Sequence, residues 1–575
     1  MKFSEVWFVD FEFESKPGNR PRPACLVALE LYSRRKIRLW WDEFEDRPPY
    51  RIDSDSLIVA YWASAELNCH LAQEWRLPEC VLDLGVEFRL LTNGIPLSTD
   101  KSLAGAAAFF GVSGVWPKDE KSAMQTMFAE RGRSLVGEER RRGLDYCESD
   151  VVPLMETYLK MAPHIDFPRA IYLRGRSMAA MARIETEGVP IDTELHGRIV
   201  NSWEGIKERL VKKVDVWGIY DGIHFRHDRH KAAAEKFGWW GWAEHANGQL
   251  RTDRDTFGDM ARIHPEIYPL HELRHALSEL RLNDLSIGED GRNRYMLKPF
   301  IARTGRNCPS NSEGIFGPSV WLRSIIRPPP GYGIAYIDWK AQEFGVAAKL
   351  SGDLNMIQAY RSGDAYLGFA KLAGAVPADA TKATHGAIRE LYKTCALGVN
   401  YGMGEKTLAF RINHLPIFAR SLLEQHHALF PQYWRWSDLC VNHTLLYGWQ
   451  ESVFGWRRQV FHEIRAEEET RKSVVCSLRN FHLQANGAEM LRLACCLGTE
   501  CGVRICAPIH DAVMIISPAE QLQEDIALMR ACMAKASRVV LDGFELETES
   551  SAIFWPEHYS DPRGAKMFST VMSLL

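Results

Sequence analysis

The sequence predicts an α/β (α+β) fold with more than one domain. The chain is long, and it contains both strand-like runs and a helix-forming segment. The chain has 575 residues, enough for roughly two to four domains with a large buried core. One strand is predicted near the N-terminus, in VWFVDFEFE. Another is predicted over residues 334–337, IAYI, before a helix-forming segment. Strands and helices are therefore expected together in one chain.

The N-terminal strand places two carboxylates on one face. Asp10 and Glu12 alternate with apolar residues, so both side chains project in the same direction. Much later, Tyr146 lies four residues before Asp150, which is one turn of a helix. Paired acids on a strand can bind a metal ion, although an exposed edge strand and an ordinary amphipathic helix show the same patterns. The two patterns together are more informative than either alone.

Another acidic residue, Asp338, stands where the run 334–337 ends, and Glu343 follows five residues later. A carboxylate at the end of a buried strand can reach a cleft. Phosphoryl transfer needs acidic ligands held rigidly in such a place, because its metal ions bridge the reacting phosphates. A lone Asp before a helix is also a common N-cap, so this stretch alone leaves both interpretations open.

A stripe of residues with helical spacing follows in RELYKTCALGVNYGMG. Arg389, Lys393, Leu397 and Tyr401 recur every fourth residue, which predicts one face of a helix. Two cations one turn apart could hold a triphosphate, and the next turn could contact a base.

A hairpin is predicted over residues 505–515, ICAPIHDAVMI. The polar pair His510 and Asp511 separates two apolar runs, as expected for strands joined by a tight turn. Pro508 weakens the strand prediction slightly, because proline cannot donate to a sheet.

In this order, the three segments resemble motifs A, B and C of the family A DNA polymerases. The matched positions are Asp338, Glu343, Arg389, Lys393, Tyr401, His510 and Asp511. Leu397 replaces an aromatic residue of motif B, and Ala512 replaces the usual Glu of motif C. Arg306, in a TGR segment, and Gln484, in RNFHLQANGAEM, match two flanking segments of the family.

The resemblance implies a right-hand polymerase domain and a template-directed DNA polymerase that uses dNTPs and primer–template DNA. Asp338 and Asp511 would be catalytic and would hold two Mg²⁺ ions, or Mn²⁺ in their place. The residues expected to bind the nucleotide are Arg389, Lys393, Leu397, Tyr401 and Glu343. Those expected to contact DNA are Arg306, Gln484 and His510.

The N-terminal pattern resembles an RNase H-like 3′–5′ proofreading exonuclease of the DEDDy type, which family A polymerases often contain. The matched positions are Asp10, Glu12, Tyr146 and Asp150. By this resemblance the acids would hold two divalent ions, and Tyr146 would orient the attacking water. The middle motif, NxxxD, is replaced by Trp62 and Glu66, so Glu66 would be the remaining ligand. Its extra methylene changes the ligand geometry, and the exonuclease activity depends on whether the site tolerates it.

The predicted domain boundary lies in APHIDFPRA, where two prolines indicate a linker. Residues 1–165 would form the exonuclease domain and 166–575 the polymerase domain. The thumb is expected over about 195–290 and the fingers over about 354–481. The palm would combine about 166–194, 291–353 and 482–575. No 5′ nuclease domain is expected before the exonuclease.

The composition favours a cytosolic enzyme, and the resemblance implies the cytoplasm of a bacterium or a phage-infected host. The net charge of −4 hides a basic tract from Arg292 to Arg327, in which Glu313 is the single acid, and this tract could contact phosphates. The 13 cysteines form no CxxC pair, which favours reduced thiols. No signal peptide is predicted, and no apolar run reaches the ~20 residues that would span a bilayer.

Two other classes of protein share parts of this pattern. A stand-alone 3′–5′ exonuclease could keep a catalytically silent polymerase half as a scaffold, but the intact motif A and the cations of motif B argue against it. A single-subunit RNA polymerase shares the palm and both aspartates, but Glu343 would close the space that a ribose 2′-OH needs. Primer extension with dNTPs separates these classes.

Overall fold

The N-terminal part of the chain forms a mixed five-stranded sheet with helices on both faces. Residues 2–114, 118–279, 284–464 and 468–575 are described by the computed structural model. The strands are β1 (Glu5–Glu14), β2 (Arg22–Glu30), β3 (Lys36–Trp40), β4 (Ser56–Ala60) and β5 (Val81–Asp83). The helices are α1 (Ala63–Ala72), α2 (Leu84–Leu91), α3 (Leu103–Phe109), α4 (Lys118–Arg131) and α5 (Gly137–Met161). The strand order is β3-β2-β1-β4-β5, with antiparallel pairs on the β2 side of β1 and parallel pairs on the β4 side.

Alternating side chains of β1 separate two cores. Phe8 belongs to the core that contains Tyr146 of α5, whereas Trp7 belongs to the core that contains Cys69 of α1. Since successive side chains of a strand point to opposite faces, Asp10 continues the α5 face. The strand predicted from VWFVDFEFE is confirmed, and α5 covers the face on which its carboxylates lie.

The connection predicted as a linker is helical. The short turn Ala162–His164 and α6 (Phe167–Arg169) lead through a π-helical turn, Ala170–Gly175, into α7 (Arg176–Glu187). Both prolines lie in the first turns of their helices, where the backbone amide has no intrahelical partner. They therefore begin helices instead of interrupting one.

A mostly helical segment follows, over residues 189–293. Its elements are β6 (Val189–Pro190), α8 (Thr193–Val214), β7 (Tyr220–Asp221), β8 (His224–Phe225), α9 (His227–Phe237), α10 (Arg254–Ile263), α11 (Tyr268–Glu279) and β9 (Arg292–Asn293). β6 pairs with β9, so the segment begins and ends at one place.

The strand predicted over 334–337 is confirmed and is longer than expected. It is β10 (Tyr332–Trp339), and it leads into α12 (Gln342–Ser351). The elements that follow are α13 (Leu354–Arg361), α14 (Ala365–Leu372), α15 (Lys382–Asn400), α16 (Glu405–Ile412), α17 (Pro416–Leu429), α18 (Pro431–Tyr447), β11 (Trp449–Glu451), β12 (Arg457–Gln459) and α19 (Phe461–Ile464).

The C-terminal part completes a second sheet around β10. Its elements are α20 (Glu468–Glu500), β13 (Ile505–Ile509), β14 (Ala512–Pro518), α21 (Leu522–Val540), β15 (Thr548–Phe554) and α22 (Ala565–Leu574). The sheet has the order β13-β14-β10-β15, and all its pairs are antiparallel. The predicted hairpin over 505–515 is confirmed. Among the described residues, no helix is both long enough and apolar enough to cross a membrane.

One acidic side chain joins the N-terminal sheet unit to the rest of the chain. Glu185 of α7 accepts hydrogen bonds from the Asn68 side chain and the Leu297 amide, each over 2.8 Å. Burial raises the pKa of Glu185 to about 7, although both hydrogen bonds lower it. A carboxyl with a raised pKa in the folded state keeps a proton that the unfolded chain has already released. The free energy of unfolding should therefore fall as the pH rises from about 4.5 to about 7.

We expect Glu185→Gln to flatten this part of the pH profile, by on the order of 2 kcal/mol between the two ends. The measurement is denaturant unfolding of the full chain at about pH 5 and about pH 7.5. Glu208→Gln, which changes an exposed acid of α8, is the matched control and should keep the wild-type slope. An unchanged slope in Glu185→Gln would contradict the assignment.

Candidate active sites

Two aspartates lie in a cleft of about 900 Å³ at one end of the second sheet. Asp338 lies near the end of β10, and Asp511 lies in the two-residue turn between β13 and β14. The register of β10 and β14 sets Asp338 opposite Ala512, so the turn brings Asp511 beside Asp338. The amide of Trp339 donates to the carbonyl oxygen of Asp511 over 3.3 Å, which holds the turn against β10.

His510, the other residue of the turn, has a left-handed backbone with φ of 55°. A hairpin with a two-residue loop needs positive φ, which Gly or Asn usually supplies. For His this conformation costs roughly 1–2 kcal/mol. Partial burial, followed by the charges of Arg306, Arg323 and Arg563, lowers the pKa of His510. The imidazole is therefore neutral at neutral pH.

A further carboxylate in this cleft, Glu549, is not apparent from the sequence. β15 pairs with the other edge of β10, and the register places Glu549 opposite Asp338. Directly opposite residues of an antiparallel pair project from the same face, so both carboxylates line the cleft. On the β14 edge, the residue opposite Asp338 is Ala512. The acidic neighbour of Asp338 therefore comes from β15 instead of from position 512.

Burial raises the pKa values of Asp338 and Asp511, and neighbouring acids raise that of Asp338 further. Burial, then the charges of Glu549 and Asp511, raise the pKa of Asp338 to about 7. Burial also raises the pKa of Asp511, although the Arg306 guanidinium lowers it. A bound cation would relieve such repulsion, and hard carboxylate oxygens suit Mg²⁺ or Mn²⁺. The donor set therefore fits a divalent metal ion.

The residues predicted on one helix face line the wall of the same cleft. Arg389, Lys393 and Leu397 all belong to α15. Arg389 donates from Nε to Asp364 over 2.5 Å and from Nη1 to Glu390 over 2.7 Å. The Lys393 ammonium lies 3.6 Å from a Glu390 carboxylate oxygen. Both cations are thus held at the surface of the cleft by acids that a phosphate group could replace.

A polar network crosses the cleft between α12, α15 and α20. The Tyr401 hydroxyl donates to Glu343 over 3.2 Å and accepts from the Gln484 side chain over 3.2 Å. Arg306 approaches the same Glu343 carboxylate at 3.6 Å. Burial raises the pKa of Glu343, while Arg306 and Tyr401 lower it. Arg306 and Gln484 are thus joined through Glu343 and Tyr401.

The basic tract from Arg292 to Arg327 is less available to a ligand than its sequence suggests. Each of its six arginines is paired with an acid. The pairs are Arg292–Glu187, Arg294–Asp290, Arg303–Glu463, Arg306–Glu343, Arg323–Asp561 and Arg327–Asp192. The expectation that this tract contacts phosphates stays a prediction, and in the structure each of its arginines lies beside an acid.

A second acidic site lies on the N-terminal sheet. Carboxylate oxygens of Asp10, Glu12 and Asp150 lie within 4.8 Å of one another. Tyr146 lies one helical turn before Asp150 on α5 and is fully buried. Lys121 of α4, which the sequence analysis did not identify, donates from Nζ to Asp150 over 2.5 Å. The site therefore contains a protein cation as well as three acids.

Glu66, the expected remaining ligand, has a different partner. Its carboxylate accepts the Phe11 amide over 2.8 Å, beyond the stretch in which β4 pairs with β1. Among the described residues, it lies outside the group formed by Asp10, Glu12 and Asp150. Asp83, at the end of β5, accepts the amides of Trp62, Ala63 and Val86 and caps α2.

The acids of this second site also repel one another. Burial, followed by the charge of Asp150, raises the pKa of Asp10 to about 7. A hydrogen bond from Cys147 and the charge of Lys121 lower it. The pKa of Glu12 is raised well above its usual value by burial and then by Asp10. The Oδ1 atom of Asp150 is buried and has no hydrogen-bond partner in the described structure. An oxygen left open in this way fits a metal ligand.

The fold defines the class of protein to which the chain is similar. It matches the POL domain of Pol1 from M. smegmatis, in complex with DNA primer-template and dNTP, with a TM-score of 0.72 and 16% identity. The match covers 96% of this chain and 95% of that one, and at this identity it shows the fold alone.

Sequence comparison finds similarity over part of the chain. Residues 307–551, less than half of the chain, match the model "DNA polymerase family A". DNA polymerase I of Chloroflexus aurantiacus is 28% identical over 225 residues, which cover 38% of this chain and 23% of that protein. The DNA polymerase of Mycobacterium phage D29 is 25% identical over 382 residues, 63% of this chain and 60% of that one. The chain spans less than two thirds of either relative.

Proposed function

We propose that the chain is a template-directed DNA polymerase that adds dNTPs to a primer 3′-OH. One observation supports this function above all others. The carboxylates Asp338 and Asp511 share one cleft with the cations Arg389 and Lys393. Nucleotidyl transfer needs acids to hold metal ions and cations to bind the phosphates. Primer–template DNA and dNTPs are the partners that follow from this function, and the M. smegmatis POL domain is in complex with both.

We assign palm, fingers and thumb to the segments expected from the sequence. The second sheet, with β10, β14 and β15, would be the palm. The fingers would comprise about 354–481 and the thumb about 195–290, and both of these segments are largely helical. The cleft is lined by residues of the palm and of α15 in the fingers, which supports a site between them.

Asp338 and Asp511 would hold the divalent ions, Mg²⁺ or Mn²⁺. When bound, these ions lower the pKa of the primer 3′-OH and neutralise the triphosphate. Arg389 would exchange Asp364 for a phosphate oxygen, and Lys393 would exchange Glu390. These cations would then stabilise the charge that develops on the pyrophosphate leaving group.

The polar network around Glu343 would bind the nucleotide sugar and the nascent base pair. Glu343 would close the space next to the sugar C2′, and Tyr401 would lie beside the template base. Arg306 and Gln484 would contact the minor groove, whose acceptors are nearly the same in all base pairs. His510 would steady the primer end.

The N-terminal unit is proposed to be an RNase H-like 3′–5′ exonuclease. The mixed sheet and the cluster of Asp10, Glu12 and Asp150 support this role. Tyr146, one turn from Asp150, would orient the attacking water. Because Glu66 binds a backbone amide, the site would work with three carboxylates.

The two activities should separate by mutation. Asp338→Asn and Asp511→Asn should each lower primer extension more than ~100-fold, because each removes a metal ligand that acts in the transition state. Asp10→Asn should abolish degradation of the primer and leave extension unchanged. The measurement is a gel of a labelled primer–template, with and without dNTPs. Extension within about tenfold of wild type in either of the first two variants would contradict the polymerase assignment.

Glu549 should support metal binding in the polymerase cleft. We expect Glu549→Gln to raise the Mg²⁺ concentration for half-maximal extension by ~10-fold, the usual effect of losing an acid beside a metal ligand. The assay is best run at about pH 8.5, where Asp338 is ionised in both proteins. Glu557→Gln, an exposed acid beyond β15, is the control. An unchanged Mg²⁺ requirement would show that Glu549 takes no part.

Leu397 should face the sugar and base of the incoming nucleotide. A Tyr hydroxyl could fill the polar space that a dideoxynucleotide leaves by lacking its 3′-OH. We therefore expect Leu397→Tyr to bring ddNTP use closer to dNTP use by at least ~10-fold. Leu397→Phe has the same ring without the hydroxyl and should keep the wild-type ratio. Single-nucleotide incorporation measures both variants, and equal ratios in the two would place residue 397 away from the sugar.

A further inference from the structure

Lys121 reaches into the acidic site of the N-terminal unit from outside the elements that carry the acids. It belongs to α4, whereas Asp10 and Glu12 belong to β1 and Asp150 belongs to α5. The Lys121 ammonium lies 2.5 Å from Asp150 Oδ2. The exposed fraction of the side chain is 21% for Lys121 and 9% for Asp150. This is a semi-buried charge pair inside a metal-type cluster and not a surface ion pair.

Among the described residues, side-chain donors reach Asp150 Oδ2 and Asp10 Oδ2 in this cluster. Asp10 Oδ2 accepts the Cys147 thiol over 3.2 Å. Glu66 accepts the Phe11 amide. Asp150 Oδ1 is buried and lacks a hydrogen-bond partner within the residues described. The ammonium therefore occupies Asp150 Oδ2 and leaves Asp150 Oδ1 for a ligand.

We propose that the Lys121 ammonium serves as one of the cations of this site, so that the N-terminal unit takes up one divalent ion instead of two. Three carboxylates carry three negative charges, which one ammonium and one divalent ion neutralise. A second divalent ion would have to displace the ammonium from Asp150. The same balance would allow the site to hold an ion without Glu66 as a ligand.

A fixed ammonium could also act on a bound phosphate. It has three N–H donors, one of which is used by Asp150, and it needs no uptake from solution. Donation to a phosphate oxygen would stabilise developing negative charge as a second metal ion does. This part of the inference rests on the proposed exonuclease function, whereas the ion count does not.

The test is a count of Mn²⁺ ions by electron paramagnetic resonance, with Mn²⁺ alone as the probe. The full chain should contain Asp338→Asn and Asp511→Asn, so that ions of the polymerase cleft are not counted. Ions that disappear on adding Asp10→Asn define the N-terminal site. We expect one such ion in this background and two when Lys121→Met is added.

Two control variants test whether the positive charge at position 121 sets the number of bound ions. Lys121→Arg keeps the charge and should keep one ion, and Lys160→Met removes an exposed lysine of α5 and should also keep one. If Lys121→Met fails to fold, as judged by its thermal unfolding, Lys121→Gln replaces it. One ion in every folded Lys121 variant, or two in the background, would overturn the proposal and leave Lys121 as a structural partner of Asp150.

The Mg²⁺ dependence of primer degradation gives a second readout. The slope of log rate against log concentration below saturation should rise from about 1 in the wild type to about 2 in Lys121→Met. A slope of about 2 in the wild type would contradict the proposal. If the wild type degrades no primer, the exonuclease function fails, and the Mn²⁺ count still decides the role of Lys121.

Discussion

The pairing of β10 with β14 on one edge and β15 on the other is the constraint on which the larger site depends. This register fixes Asp338 between Ala512 and Glu549. A shift by one residue would turn Asp338 to the opposite face of the sheet, because the side-chain period of a strand is two. The apolar residues of β10 prevent this shift, since Ile334 and Ile337 are fully buried in two different cores. Packing of the apolar residues of β10 therefore determines where the carboxylates of the cleft lie.

In both acidic sites the carboxylates repel one another, but the two sites differ in the protein cations that offset this repulsion. In the cleft, Asp338 faces Glu549 and Asp511, and the cation whose charge lowers the pKa of Asp338 is Lys340, which pairs with Glu547. In the N-terminal unit, Lys121 already binds Asp150. Buried carboxylates that lie close together have raised pKa values, and a bound cation reverses this shift. A protein cation that already neutralises some of the charge therefore limits how many metal ions the site binds. The two sites should therefore differ in the number of metal ions they hold.

The parts of the fold that depend on local sequence could be predicted, and those that depend on pairing across the chain could not. Alternation predicted β1, and the polar pair His510-Asp511 predicted the hairpin turn. The role of Glu549 depends on the register between β10 and β15, two strands separated by about 200 residues of sequence. Lys121 is one of many charged residues on α4, and its sequence neighbours show no spacing that relates it to Asp150.

The same limit applies to charge. The tract from Arg292 to Arg327 is basic in sequence, but its partners come from elsewhere in the chain. Asp561, for example, pairs with Arg323 across 238 residues. A count of charges within a window measures neither their burial nor their partners. The sequence could show that this tract is rich in arginine. It could not show that these arginines form ion pairs with acids from other parts of the chain.

The interface between the two halves determines how their functions can be studied separately. Arg174 and Glu87 form a bidentate ion pair across it, over 2.5 and 2.9 Å, with both side chains buried. Asn93 donates to the carbonyl oxygens of Arg303 and Arg457. Removing one member of a buried pair costs about 3–5 kcal/mol, so a substitution at this interface would weaken both halves together. The two proposed functions are therefore better separated by substituting a site residue such as Asp10. That substitution changes a charge without opening the interface.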